Sequence, residues 1–263
     1  MNGYCLELSK VRVSRRNRLI LDIDDLRIPR GQAVGIIGPN GSGKTTLLNV
    51  CCGLVRPSAG TVRLNGLDLS SLNAWAKSNL RKDIGYIPQS AEYNAHLPFT
   101  VREIAAMGRT SAKPLFRRLN RTDYRQTDRW IDRLGLADRR NQTFRSLSGG
   151  EQQKTLLARA MIQDPSMLLL DEPGANLDFT WKFELRNLID ELFRATGITV
   201  LTVSHEIDLL PRSCRRVVLM RGGRIVADGP PGQVLTADTL QNVYEYPLKI
   251  VNTEGHGYSV VCD

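Results

Sequence analysis

Short, fully apolar runs alternate along the chain with segments of helical spacing. Residues 34–37 are apolar and end in Gly38, the mark of a strand buried on both faces. Residues 43–52 follow with helical spacing. Three similar runs, 84–87, 167–170 and 198–203, predict further buried strands. Residues 217–220 and 224–227 flank Arg221-Gly222-Gly223 and predict a hairpin. Between 93 and 163 the pattern changes. Helices are predicted there over 101–108, 123–134 and 150–163, and arginine is frequent from 109 to 145. The stretch 236–263 predicts one helix and then two short strands. Strands alternating with helices argue for an α/β core, into which the arginine-rich stretch reads as a helical insertion. No internal repeat or low-complexity tract interrupts it.

The 263 residues suffice for one large domain or two small ones. Apolar residues make up 41%, too many for a disordered chain. No run approaches the roughly 20 apolar residues of a membrane-spanning helix, and Met1-Asn2-Gly3-Tyr4 opens no signal-peptide pattern. The five cysteines (5, 51, 52, 214 and 262) are odd in number and lack a metal-binding spacing. That predicts a reducing compartment and buried free thiols. Lys and Arg total 36 against 27 Asp and Glu, a net charge of +9. The excess fits nucleic acid, an anionic membrane surface or a phosphate-bearing ligand, without choosing among them.

Candidate chemistry begins at Gly38-Pro39-Asn40-Gly41-Ser42-Gly43-Lys44-Thr45, with Thr46 next. This is the phosphate-loop spacing, with the predicted strand before it and the predicted helix after. Glycines let the backbone curl until its N–H groups face phosphate oxygens, and the helix presents its positive end to the same anion. Lys44 is placed to reach the β and γ phosphates of ATP, and Thr45 to ligate Mg²⁺. Residues 167–170 run straight into Asp171-Glu172, two carboxylates at a strand end. Asp171 is expected to hold the Mg²⁺ and Glu172 to orient or deprotonate the attacking water. Alone, such an acidic strand end is often just a capped strand; after a phosphate loop it carries more weight.

Leu147-Ser148-Gly149-Gly150-Glu151-Gln152-Gln153 precedes that carboxylate pair and resembles the signature segment of ABC-type ATPases. Ser148, Gly149 and Gly150 offer a hydroxyl and backbone N–H groups at a helix start. Further motifs resemble the family's in order. Gln89, after Tyr86-Ile87-Pro88, resembles the Q-loop glutamine, a catalytic and metal-site residue. Gly174-Ala175-Asn176-Leu177-Asp178 resembles the D-loop, and His205 the switch histidine at the γ-phosphate. The resemblance covers nearly the whole chain. It implies one nucleotide-binding domain over 1–263, a phosphate-loop (RecA-like) ATPase core with an antiparallel β subdomain and an inserted helical subdomain. The core would take about 1–90 and 165–263, and the helical part about 91–164.

Three positions depart from the family pattern. Arg15 stands where an aromatic residue commonly stacks on adenine; its guanidinium can stack on a π-face, and Tyr4 is the weaker substitute. Gly174-Ala175-Asn176 is an unusual D-loop that keeps Asp178. Lys154 replaces a common arginine after the signature.

The resemblance implies a head-to-tail dimer, most simply of two copies, in which each signature completes the partner's ATP site. It also implies separate transmembrane permease subunits, a place on the cytoplasmic face of the membrane and, indirectly, a substrate-binding protein. Residues 89–108 would dock the permease, although Leu97, Phe99 and Val101 could equally be packing residues. Residues 99–109 and the tail, with 234–236, 243–244, 247–251 and Gly257, look like those of importers of metal chelates: iron-siderophore, haem or cobalamin. Zinc or manganese import and export remain alternatives. His96 and His256 are isolated and read as surface residues. A non-transport ABC ATPase acting on nucleic acid or in iron–sulfur assembly is the rival of another class. Against it, the chain has no long coiled-coil insertion and only one set of motifs, and Phe116, Tyr124 and Trp130 suit helix packing as well as base stacking. No nucleic-acid partner is expected.

Overall fold

The computed structural model describes residues 3–89, 98–110, 113, 117–175, 177–244, 248–253 and 257–262. Leu97, His96, Phe116, Asn176 and His256 lie outside them.

The chain opens with a hairpin, β1 (Tyr4–Arg15) and β2 (Arg18–Pro29). Its turn residues Arg16 and Asn17 have φ of 49° and 60°. That left-handed pair matches the twist of a two-residue hairpin. β3 (Ala33–Ile37) leads into α1 (Lys44–Cys51). β4 (Ala59–Leu64), β5 (Leu67–Asp68), α2 (Ala74–Arg81) and β6 (Ile84–Ile87) follow. Next come three helices, α3 (Val101–Thr110), α4 (Arg121–Arg133) and α5 (Gly149–Met161). β7 (Met167–Asp171), α6 (Phe179–Thr196) and β8 (Thr199–Ser204) return to the core. β9 (Arg216–Arg221), β10 (Arg224–Gly229), α7 (Pro231–Val234), α8 (Ala237–Tyr244), β11 (Leu248–Thr253) and β12 (Gly257–Cys262) complete the chain.

β10-β9-β3-β8-β7-β6 form a six-stranded sheet, parallel except for β10. β2-β1-β4-β5 form an antiparallel sheet, and β11 pairs with β12. β3, β7 and β8 are buried throughout, as a parallel strand covered on both faces must be. Their side chains alternate between two cores. Ile36, Met167, Leu169, Leu201 and Val203 pack with α1 and the antiparallel sheet. Leu168, Leu170 and Val200 pack instead with residues of α3–α6, including Ile104, Ile131, Leu157 and Ile189. The predicted strands and helices lie within a few residues of the observed ones. The first hairpin, β4, β5, α2, α6 and α7 are elements that the apolar runs did not mark. Among the described residues no helix is long and apolar enough to cross a membrane.

Cys5, Cys51, Cys52 and Cys214 are free and buried. Burial pushes the Cys52 thiol up to about 12 and the Cys214 thiol to about 11, so neither ionises readily near neutrality. Val101 is fully buried and Phe99 packs against the helical core. For these two residues the packing reading is the one observed.

Helix α6 is tied to the loop before β9 by Asp190, which is buried. Its carboxylate accepts from the Arg212 and Ser213 N–H groups at 2.9 and 2.8 Å and from the Ser213 hydroxyl at 2.5 Å. Asp190→Ala leaves those donors unpaired. It should lower unfolding stability by about 2–3 kcal/mol, read in urea melts at pH 7.

Candidate active site

The register of the central sheet sets four chain segments level at one edge. Ile37 pairs with Ser204, Asp171 with Val203, and Ile87 with Leu170. The residues just beyond those strand ends are Gly38, Gln89, Glu172 and His205, all drawn from separate parts of the sequence.

The loop after β3 closes tightly. The Ser42 N–H donates to the Pro39 carbonyl at 3.1 Å, and Gly43, with φ of 97°, precedes the first turn of α1. Only glycine fits at 38, because a Cβ there would lie 2.3 Å from the Met220 carbonyl oxygen. Lys44 is 4% exposed. Its ammonium donates to the Gly38 and Pro39 carbonyls at 2.8 and 3.0 Å and stands 3.7 Å from Glu172 Oε1. Burial lowers the Lys44 pKa, and the Glu172 and Asp171 carboxylates oppose that shift.

Asp171 ends β7 beneath the loop. Thr45 Oγ1 donates to Asp171 Oδ1 at 3.1 Å, while Asp171 Oδ2 is buried without a hydrogen-bond partner. A hydroxyl beside an orphaned buried carboxylate oxygen is a hard-oxygen donor set, and it fits Mg²⁺. Burial raises the Asp171 pKa, and Glu172 adds to the rise. Glu172 has φ of 46° and is itself buried. A non-glycine residue in this left-handed region stores strain, which its Val203-bound N–H (2.9 Å) helps to hold. Glu172 Oε2 accepts from Gln89 Nε2 at 3.2 Å and lies 3.0 Å from His205 Nδ1.

A cleft of about 810 Å³ opens over these groups. Asn40, Gly41, Gly43, Lys44, Thr45 and Thr46 line it together with Gln89, Glu172 and His205. Gly38, Pro39 and Ser42 supply the loop beneath. Arg15 does not line the cleft. It sits at the hairpin end opposite Arg18, and Arg18, Leu19 and Ile20 line the cleft instead. Tyr4 lies at the other end of the hairpin, opposite Pro29. Ser148, Gly149, Gly150 and Asp178 also lie outside the cleft lining. Ser148 caps α5 in a reciprocal box with Glu151, and Asp178 caps α6. Sequence reasoning missed Ala175, Glu206 and Gly222 in the lining. It also missed Lys182, which holds Glu206 through two contacts of 2.6 and 2.7 Å.

The sequence model of the ABC transporter family matches residues 21–175, more than half of the chain. The chain belongs to this family. It binds ATP and hydrolyses it. A phosphonates import ATP-binding protein of a Synechococcus strain is 37% identical over 83% of the chain and 82% of its own length. An iron(3+)-hydroxamate import ATP-binding protein of Bacillus subtilis is 31% identical over 94% of the chain and 90% of its own. Among solved structures, an inward-facing protein described as a metal-chelate type ABC transporter superposes with a TM-score of 0.83. It covers 99% of this chain and 96% of its own at 23% identity, a likeness of fold. The dimeric ATP-binding cassette MJ0796, bound to ADP and phosphate, superposes at 0.74 with 26% identity over 86% of this chain and 98% of its own. The chain is thus an ATP-binding chain of the ABC transporter family.

The raised Asp171 pKa makes a signed prediction. The folded, nucleotide-free chain binds this proton more tightly than the unfolded chain does. The associated stability is complete below the ordinary value of 3.8 and is lost as pH rises through the raised folded value. From about pH 4 to 7 the wild type should therefore lose stability relative to Asp171→Asn, measured without nucleotide. The variant should also lose the Mg²⁺-dependent part of its thermal stabilisation by ATP. A difference of the opposite sign in the melts would rule out the burial account.

Proposed function

We propose that this chain powers import of a metal chelate, of the iron-siderophore, haem or cobalamin kind, through separate permease subunits on the cytoplasmic face of a membrane. The ATP-driven part of this reading is carried by the convergence of Lys44, Gln89 and His205 on Glu172, beside the Thr45–Asp171 pair. In this reading Lys44 exchanges its carbonyl partners for the β and γ phosphates of ATP, and the phosphate-loop amides cradle the same groups. Thr45 and Asp171, with Gln89 nearby, would hold Mg²⁺, which would neutralise phosphate charge. Glu172 orients the attacking water and takes its proton; His205, 3.0 Å from the Glu172 carboxylate, steadies the γ-phosphate.

The Ser148–Gly150 segment lies outside the chain's own cleft. A second copy placed head to tail would bring its signature over the nucleotide, with Asp178 nearby, and the dimeric cassette relative supports that arrangement. The cargo rests on likeness alone. The iron-hydroxamate relative covers 94% of this chain against 83% for the phosphonate relative, and the metal-chelate type transporter shares the fold almost end to end. The phosphonate relative's higher identity keeps phosphonate import as the second reading.

Glu172→Gln should bind ATP, accumulate as a dimer by gel filtration with Mg²⁺ and ATP, and lose turnover by about a thousandfold or more. Wild-type turnover in that variant would remove Glu172 from the chemistry. Co-purification with a permease, followed by identification of the ligand of the associated binding protein, tests the cargo. A phosphonate in place of a chelate would select the second reading.

A further inference from the structure

The two signature glycines differ in environment. Ser148 and Gly149 are exposed, whereas Gly150 is buried. What buries Gly150 comes from another helix. A Cβ built at 150 would lie 2.1, 2.2 and 2.6 Å from Cδ2, Cε3 and Cε2 of the Trp181 indole. No side chain fits there while that ring stays in place.

Trp181 is fixed in turn. It stands in the first turn of α6, and its backbone N–H donates to the Asp178 carboxylate at 2.9 Å. From the α5 side, the Lys154 ammonium lies 4.7 Å from the indole centroid, a cation–π distance, and 3.8 Å from Glu184 Oε2. Gly150 and Lys154 are four residues apart on α5, and Trp181 and Glu184 three apart on α6, so each pair shares one helix face. The seam therefore runs along the first turns of both helices.

We propose that Trp181 is a positioning residue for the signature. Its indole fixes the start of α5, and so the direction in which Ser148 and Gly149 face a second copy's nucleotide. Glycine is needed at 150 because the indole occupies the space of a side chain. This rests on the head-to-tail reading given above. Trp181 does not line the chain's own cleft, so its loss should leave nucleotide binding to the phosphate loop intact.

The test compares Trp181→Ala and Trp181→Phe in a Glu172→Gln background. Dimer formation is read by gel filtration against ATP concentration, and ADP affinity by displacement of a fluorescent nucleotide. Trp181→Ala should raise the ATP concentration for half-maximal dimerisation by about tenfold to a hundredfold, with ADP affinity unchanged. Trp181→Phe should restore most of the loss. A thermal-unfolding cycle probes the contact itself: Gly150→Ala should lower the melting midpoint strongly in the wild type and much less in Trp181→Ala. Dimerisation of Trp181→Ala at the parent's ATP concentration overturns the proposal, as does an equal fall in ADP affinity or an additive cycle. If the Glu172→Gln parent itself stays monomeric, the head-to-tail reading fails first and the positioning role falls with it.

Discussion

The fold is organised around charges that the cleft must bury before any phosphate arrives. Lys44, Asp171 and Glu172 are almost wholly inside. Unpaired, each would cost several kcal/mol in lost hydration. They are instead held by one another and by their neighbours: carbonyls of the phosphate loop for Lys44, the Thr45 hydroxyl for Asp171, and Gln89 and His205 for Glu172. None of these contacts exists unless β3, β6, β7 and β8 end at the same level. Parallel register is thus a condition of the chemistry as well as of the fold. The Asp171 Oδ2 and Ser42 Oγ atoms are buried without partners, and the first belongs to the oxygen set that fits a cation.

The rest of the architecture keeps that edge in place. Because β7 and β8 send alternate residues into two cores, neither face can shift without disturbing the other. The first hairpin is fastened to the same edge. The Asp22 N–H donates to the Gly223 carbonyl at 2.8 Å, and Asp22 accepts from Arg12 and Arg224 at 3.0 and 2.8 Å. Those bonds hold residues 18–20 over the phosphate loop. The loop in turn is bound to the far hairpin, with the Gly223 N–H donating to the Ser42 carbonyl at 3.0 Å.

What could be read from the sequence was what is local. The phosphate loop announces itself because its function is carried by consecutive backbone groups, and the buried parallel strands because they are uniformly apolar. The hairpin was harder. Its turn contains no glycine, and Arg16 and Asn17 take the left-handed conformations themselves. The register of that turn, with the irregularity between Val13 and Ser14, sets Arg18 rather than Arg15 at the cleft. No spacing rule carries that information. Helix α6 did have a signal, an Asp178 cap, apolar positions at 185, 188, 189 and 192, and Gly197 with φ of 63° at its end. Gly150 is the opposite case. Its place in the signature segment suggested a phosphate-binding glycine, and the atoms that exclude a side chain there come in addition from Trp181, thirty-odd residues onward.

The first turn of α6 is where local and long-range requirements meet. Asp178 caps the helix through the Trp181 N–H. Trp181 then faces the signature, while the next residue, Lys182, faces the switch segment and holds Glu206 beside His205. Adjacent residues on a helix differ by about 100° in direction, so one turn can serve two neighbours at once. A charged pair of 2.6 Å on one side and an aromatic plate on the other leave that turn little freedom to rotate. His205 and Gly150 are thus joined through one helix start, with Glu206 between His205 and Lys182 and the indole of Trp181 against Gly150. Asp178, on this geometry, is the cap from which both contacts of that turn are set.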